Sequence, residues 1–193
     1  SRGLRHRSCF VAQRAAQIIE SERHQDLDED LVAALDRFMI KGVKADPGCV
    51  AKIAAAEALD ALDHLDPGPF RRGAACVQKE PAWGQPIDTA KGLRAVCALA
   101  LARVGELDDL ADLMADPEPT VRAAAARAVA GHAGIGGSAL LRLKIALGDD
   151  EPAVTAEALG AMLVLAGDQA LPLAVRALTT GEPALQDLAA LAI

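Results

Sequence analysis

The chain has 193 residues, enough for one large core or a short array of stacked helices, and a net charge of −7. That balance argues against broad, sequence-independent binding to nucleic acid, which relies on many Lys and Arg contacts to phosphate. Apolar residues make up 52% but aromatics only 2%, so the core must be built from Ala, Leu and Val, which suits closely approaching helices better than a β-sandwich.

The charge is uneven. Residues 26–66 carry four basic and ten acidic groups, residues 67–104 six and two, and residues 105–193 five and thirteen. The four cysteines, Cys9, Cys49, Cys76 and Cys97, form no C-x-x-C pair, and a chain of this size and apolar content needs no disulfides. No signal-peptide pattern and no charge-free apolar run of membrane-spanning length is read, so the expected home is the cytoplasm, with no membrane partner.

In chain order, first helices are aligned on their leading apolar residues Val11, Val50, Leu93, Val121, Val154 and Leu185, at intervals of 39, 43, 28, 33 and 31 residues. Four positions on stand Ala15, Ala54, Cys97, Ala125, Ala158 and Ala189, all small. Eight positions on stand Ile19, Ala58, Leu101, Val129, Met162 and Ile193. A small residue at the fourth position lets the next helix come close. Asp46-Pro47, Asp116-Pro117 with Glu118-Pro119, Glu151-Pro152 and Glu182-Pro183 precede these helices: the acids complement the helix dipole and proline fits the first turn. Second helices are expected over 27–40, 107–114, 140–147 and 170–178, with Pro172 in the first turn of the last. A helix pair recurring every 20–50 residues is the signature of an α-solenoid. Residues 116–131, D-P-E-P-T-V-R-A-A-A-A-R-A-V-A-G, are the most regular copy.

One stretch breaks the pattern. Residues 66–88 hold several Pro and Gly and the single Trp; Phe70 to Gln78 fits a short helix, but Pro81, Gly84 and Pro86 exclude regular helix from Lys79 to Ile87. A long ordered loop inside a solenoid is a natural place for function.

Asp-Pro-x-x-x-Val-Arg followed by small residues, a turn and a Leu-rich helix resembles the HEAT repeat in its short bacterial form, also known from phycobilin-lyase-type repeats. The likeness covers residues 116–193 well and 8–63 reasonably. The runs 46–59, 77–90 and 140–148 further resemble a group of bacterial HEAT-repeat proteins. The resemblance implies an all-α, armadillo-like fold: a right-handed α-α superhelix of about five to six helix pairs, in one domain over 1–193. Repeats would start near residues 8, 46, 88, 117, 150 and 182, with the insertion at 66–88, and second helices would line the concave face.

Two candidate sites follow. In the insertion, Trp83 and Phe70 would supply apolar contact while Arg71, Arg72 and Lys79 attract an acidic partner; Trp and Arg dominate binding hot spots. The alternative is that Trp83 folds back to plug an irregular repeat and the arginines are merely solvated. On the concave face, Asp28, Asp36, Asp108, Asp112, Arg142, Lys144 and Arg176 would form either a mixed-charge groove for a protein or a solvated helix surface.

Catalytic and metal signals are missing. His6, His24, His64 and His132 form no His-Glu pair and no His-x-x-x-His, so no metal site is expected. No G-x-S-x-G occurs, and Gly134 to Gly137 reads as a turn rather than a phosphate cradle. Cys49, beside a helix N-terminus, is either a reactive thiol or a small first-turn residue; Cys97 should be an inert packing residue, and Cys76 is left open.

The expectation is a non-catalytic scaffold with no cofactor, binding a protein through the concave face and the Trp-containing insertion. Two alternatives are implied by the resemblance: a phycobilin-lyase-like enzyme or chaperone acting on a client protein, and a nucleic-acid-binding HEAT-like protein, which the charge disfavours. The last helix lacks a covering partner, so the chain is also expected to be a fragment or to associate end to end.

Overall fold

The computed structural model describes residues 1–104, 107–131, 136–180 and 183–192; His132, Gly134, Ile135, Glu182 and Ile193 lie outside them. The described chain is all-α apart from one small hairpin. In order come α1 (Cys9–Glu22), α2 (Asp28–Lys41), α3 (Val50–Ala61), α4 (Pro67–Ala74), β1 (Lys79–Glu80), β2 (Ile87–Asp88) and α5 (Lys91–Arg103). Then follow α6 (Leu107–Leu113), α7 (Pro119–Val129), α8 (Gly137–Leu147), α9 (Pro152–Ala166), α10 (Leu171–Thr180) and α11 (Pro183–Ala192). Proline opens α4, α7, α9 and α11, where its missing N–H goes unused and its fixed φ is already helical. The chain divides into two compact units, Ser1–Ala100 and Leu101–Ile193, and each is described by itself.

In the first unit α1 and α2 both pack on α3. The contact surface of α3 is almost wholly alanine: Ala51, Ala54, Ala55, Ala56 and Ala58 are buried together with Leu59. Cys9, Ala12, Phe38 and Ala51 form one cluster beside it. Small side chains bring the helix axes close, so stability comes from many short van der Waals contacts rather than from large aromatic burial. In α1 the buried set is Cys9, Ala12, Ala16 and Ile19, while Val11 is exposed. α1 therefore sits one residue out of the expected register at its leading position.

The second unit keeps that register. Val121, Ala125 and Val129 of α7, and Val154, Ala158 and Met162 of α9, are all buried. Here α7 packs on α9 and α9 on α11, with α6 against α7 and α8 against α9. Leu159, Ala177 and Ala189 close a further cluster. By length and composition alone the run Pro152–Thr179 would suffice to cross a membrane, which the sequence reading had not singled out. It is not one uninterrupted α-helix: α9 ends at Gly167, which has φ +51°, and a 3-10 turn leads into α10.

The helix starts contain the most costly burials in the molecule. Asp46 and Lys52 are both completely buried, as nearly are Asp88 and Arg94. Asp46 accepts from the backbone N–H of Ala51 and Lys52 at 3.0 and 3.1 Å, capping α3, and its carboxylate lies 3.2 Å from Lys52 Nζ. A cation in the first turn opposes the helix dipole, and the carboxylate offsets that as well as satisfying the orphan donors. Removing one member of such a pair strands the other in a medium that cannot solvate it. Asp46→Ala is therefore expected to destabilise the chain by about 3–5 kcal/mol, well beyond the ordinary loss of a cap, as measured by urea denaturation followed by circular dichroism.

Candidate binding site

The irregular stretch folds into three parts. Asp66 caps α4, accepting from Gly68 N–H at 3.0 Å. α4 then lays Phe70 and Gly73 inward, and Gly73 lies so close to Cys97 Sγ that a Cβ there would collide with it. After α4 the chain forms the antiparallel hairpin β1–β2, pairing Lys79 with Asp88 and Glu80 with Ile87. Between the strands Pro81 to Pro86 are all exposed, and Gly84 takes φ +106°. Trp83, at this tip, is 107% exposed. The plug reading is thereby set aside: the only Trp of the chain stands fully in solvent.

The root of the hairpin is the opposite. Gln78, 5% exposed, is its centre. Its side-chain Oε1 accepts from buried Lys52 Nζ at 2.8 Å, and its Nε2 donates to Asp46 O at 2.9 Å and to Glu80 Oε1 at 2.7 Å. Glu80 Oε1 also accepts from Gly48 N–H at 2.7 Å and from Thr89 Oγ1 at 2.6 Å. On the other side Asp88 accepts from the N–H groups of Gln78 and Ala90 at 3.1 and 3.0 Å, and from Arg94 at 2.8 Å. Arg94 donates in addition to Cys76 O at 2.9 Å. Some of these bonds close the root on itself, as Gln78 to Glu80 and to Asp88, and the others run from it to the start of α3 or α5. The hairpin is thus fixed by directional bonds at its base and bare at its tip.

These bonds set the charge states. Thr89, Gln78 and Gly48 hold the Glu80 carboxyl below its usual range. Burial pushes Asp88 up, but the donors from Gln78, Arg94 and Ala90 outweigh it and leave its pKa lowered. Burial raises the thiols of Cys49 and Cys76, and raises Cys97 strongly. Cys49 is buried in the left-handed region at φ +57°, with its Sγ 3.7 Å from Thr89 Oγ1. Neither burial nor pKa marks it as a reactive thiol.

The expected site residues separate. Phe70 is fully buried, edge-on to His64 at 6.1 Å, and so is core rather than a contact surface. Arg72 is exposed and makes a two-pronged bond to Asp36 at 2.9 and 3.1 Å. Arg71 is exposed on α4 and Lys79 on β1. On α8 in the second unit Arg142 is exposed, whereas Lys144 is half-buried and engaged with Asp149 at 2.6 Å and Met114 O at 3.3 Å. Lys144 is thus engaged in an ion cluster with Asp149. Among the described residues no three His, Cys, Asp or Glu side chains converge as a metal site.

Sequence reasoning read Asp46 only as a helix-start acid and missed Lys52, Gln78, Glu80, Asp88, Thr89 and Arg94. A signal was present: Lys52 and Arg94 each stand six residues after an Asp, as Arg122 does after Asp116.

The acid response follows from the lowered carboxyls of Glu80, Asp88 and Asp149. A folded-state pKa below the unfolded value contributes stability that is present above about pH 4 and lost as pH falls through the folded value. Urea midpoints should therefore hold between about pH 7 and 5 and drop on further acidification. Asp88→Asn should lower the neutral-pH midpoint and flatten the acid slope. An unchanged slope would remove Asp88 from this account.

No protein-family model matches the chain, and no curated protein is significantly similar to it.

Proposed function

We propose that this chain is a non-catalytic, protein-binding scaffold built from HEAT-like repeats, its helix pairs stacked as a right-handed solenoid, with the hairpin around Trp83 as its recognition element. The repeat reading is supported by the burial of one register across α7 and α9 and by proline at the helix starts. The observation that carries the binding role is the bare Trp83 on a locked root. Leaving so large an apolar side chain in water forgoes about 2–3 kcal/mol of burial free energy. A core residue would not be left that way in a chain so poor in aromatics. A hairpin already ordered by Gln78, Asp88 and Glu80 loses little conformational entropy on docking, which is how a small contact gains affinity. Trp is also the residue type most enriched at binding hot spots. The tip from Pro81 to Ile87 carries no charge, so the partner surface is an apolar pocket rather than an ionic patch.

Trp83 is the only Trp and there is no Tyr, so its fluorescence reports this contact without background. In the free protein its emission should be red-shifted and readily quenched by iodide. Addition of the partner should shift the emission to the blue and protect it. Trp83→Ala should change stability by less than about 0.5 kcal/mol yet remove the partner from a cross-linked pull-down out of the native host. Identical partner lists for wild type and variant would overturn the hairpin's role.

A further inference from the structure

We propose that the groove between α6 and α8 binds a cationic amphipathic helix of a partner protein, two to three turns long. This deepens the scaffold reading by naming a ligand for its second-helix groove. The groove is open and encloses about 680 Å³. On α8 its wall is Leu140, Leu143 and Leu147, which recur at helical spacing and cover about 10 Å of groove length. Leu143 is 56% and Leu147 76% exposed. Ala111 and Ala115 face them from the α6 side, leaving room for a helix bearing its own large side chains. Anchors at i, i+3 or i+4 and i+7 on an incoming helix match two turns of this wall.

The charge of the ligand follows from the groove's end. Arg122 and Lys144 both line it, but both are spent on Asp149, at 2.6 Å each. Arg122 further donates to the carbonyls of Asp116 and Pro117. What remains toward solvent is acid: the Asp150 side chain is 90% exposed although it touches Arg122 at 2.6 Å. The groove's charged lining is Asp116, Asp149 and Asp150 against Arg122 and Lys144, a net −1, and the sequence of residues 101–193 carries six basic and thirteen acidic groups. The field at the groove therefore draws cations and repels phosphate or acidic peptides.

The test is fluorescence anisotropy of a labelled synthetic peptide, a three-turn amphipathic helix with a leucine stripe and flanking lysines, titrated with the full chain. Saturable binding that weakens with added salt is expected. Leu147→Asp should weaken it about tenfold or more, as loss of one buried anchor does. Asp150→Lys should weaken it roughly threefold and reduce the salt dependence. Both side chains are exposed, so both variants should fold as wild type. A peptide with glutamates in place of lysines should not bind. Trp83→Ala should leave the peptide affinity unchanged, so failure of the hairpin and failure of the groove read out separately. Equal binding by Leu147→Asp, equal binding of the glutamate peptide, or no binding would overturn the proposal. So would concentration-dependent self-association that Leu147→Asp abolishes, since the occupant would then be a second copy.

Discussion

The structure depends on burying a cation in the first turn of a helix, where the dipole is least hospitable to it. Lys52, Arg94 and Arg122 each follow the leading apolar residue of a first helix, and each is buried. Such a group is tolerated only beside a carboxylate with well-placed hydrogen bonds. The first two obtain it from the aspartate six residues back, Asp46 and Asp88. Arg122 instead takes the backbone carbonyl of Asp116 and reaches forward to Asp149, 27 residues on, beyond α8. One sequence device therefore serves two ends. It caps α3 at Asp46, where the pairing is local, and it ties the start of α7 to the segment between α8 and α9, where the pairing is long-range.

Buried ion pairs are weak sources of net stability, and a hydrophobic replacement of equal volume often does as well. Their value here lies in direction. Alanine surfaces slide easily against one another because they offer few distinctive knobs. A carboxylate that must meet a guanidinium and two N–H groups has one acceptable position. In a core made of Ala51, Ala54, Ala55 and Ala58, the polar starts supply the register that the side-chain volumes do not. The hairpin borrows the same polar start: Gln78 bonds to Lys52 and to the Asp46 carbonyl, and Asp88 belongs at once to β2 and to the ion pair with Arg94 in the first turn of α5.

Much of the helix layout was legible in the sequence because periodicity and proline placement report local physics. The leading residues of α7 and α9, the proline starts and the four second helices could be read without coordinates. The shift of α1 could not, since Val11 and Ala12 are both acceptable on an apolar face and only packing against α3 selects between them. Phe70 and Trp83 show the same limit at the site. Both are aromatic residues in one irregular stretch, and composition treats them alike. Burial is decided by which of them falls on the inner face of α4 and which on a hairpin tip. The hairpin itself was invisible, because two strands of two residues carry no periodic signal.

A chain that spends almost no aromatic side chains must place the few it has where alanine and leucine will not serve. Phe70 satisfies this inside, filling space against His64 that an aliphatic residue would leave uneven. Phe38 does so beneath Arg37, whose guanidinium sits 4.4 Å from its ring centre. Trp83 fills nothing within its own unit, and the network at its root would form equally well beneath an alanine. The expense of seven polar residues to hold a six-residue exposed tip is explained if the tip must keep one orientation relative to α3 and α5. A tip that only had to close a loop would need no such root: a short turn between α4 and α5 would connect them with fewer buried polar groups and no bare indole.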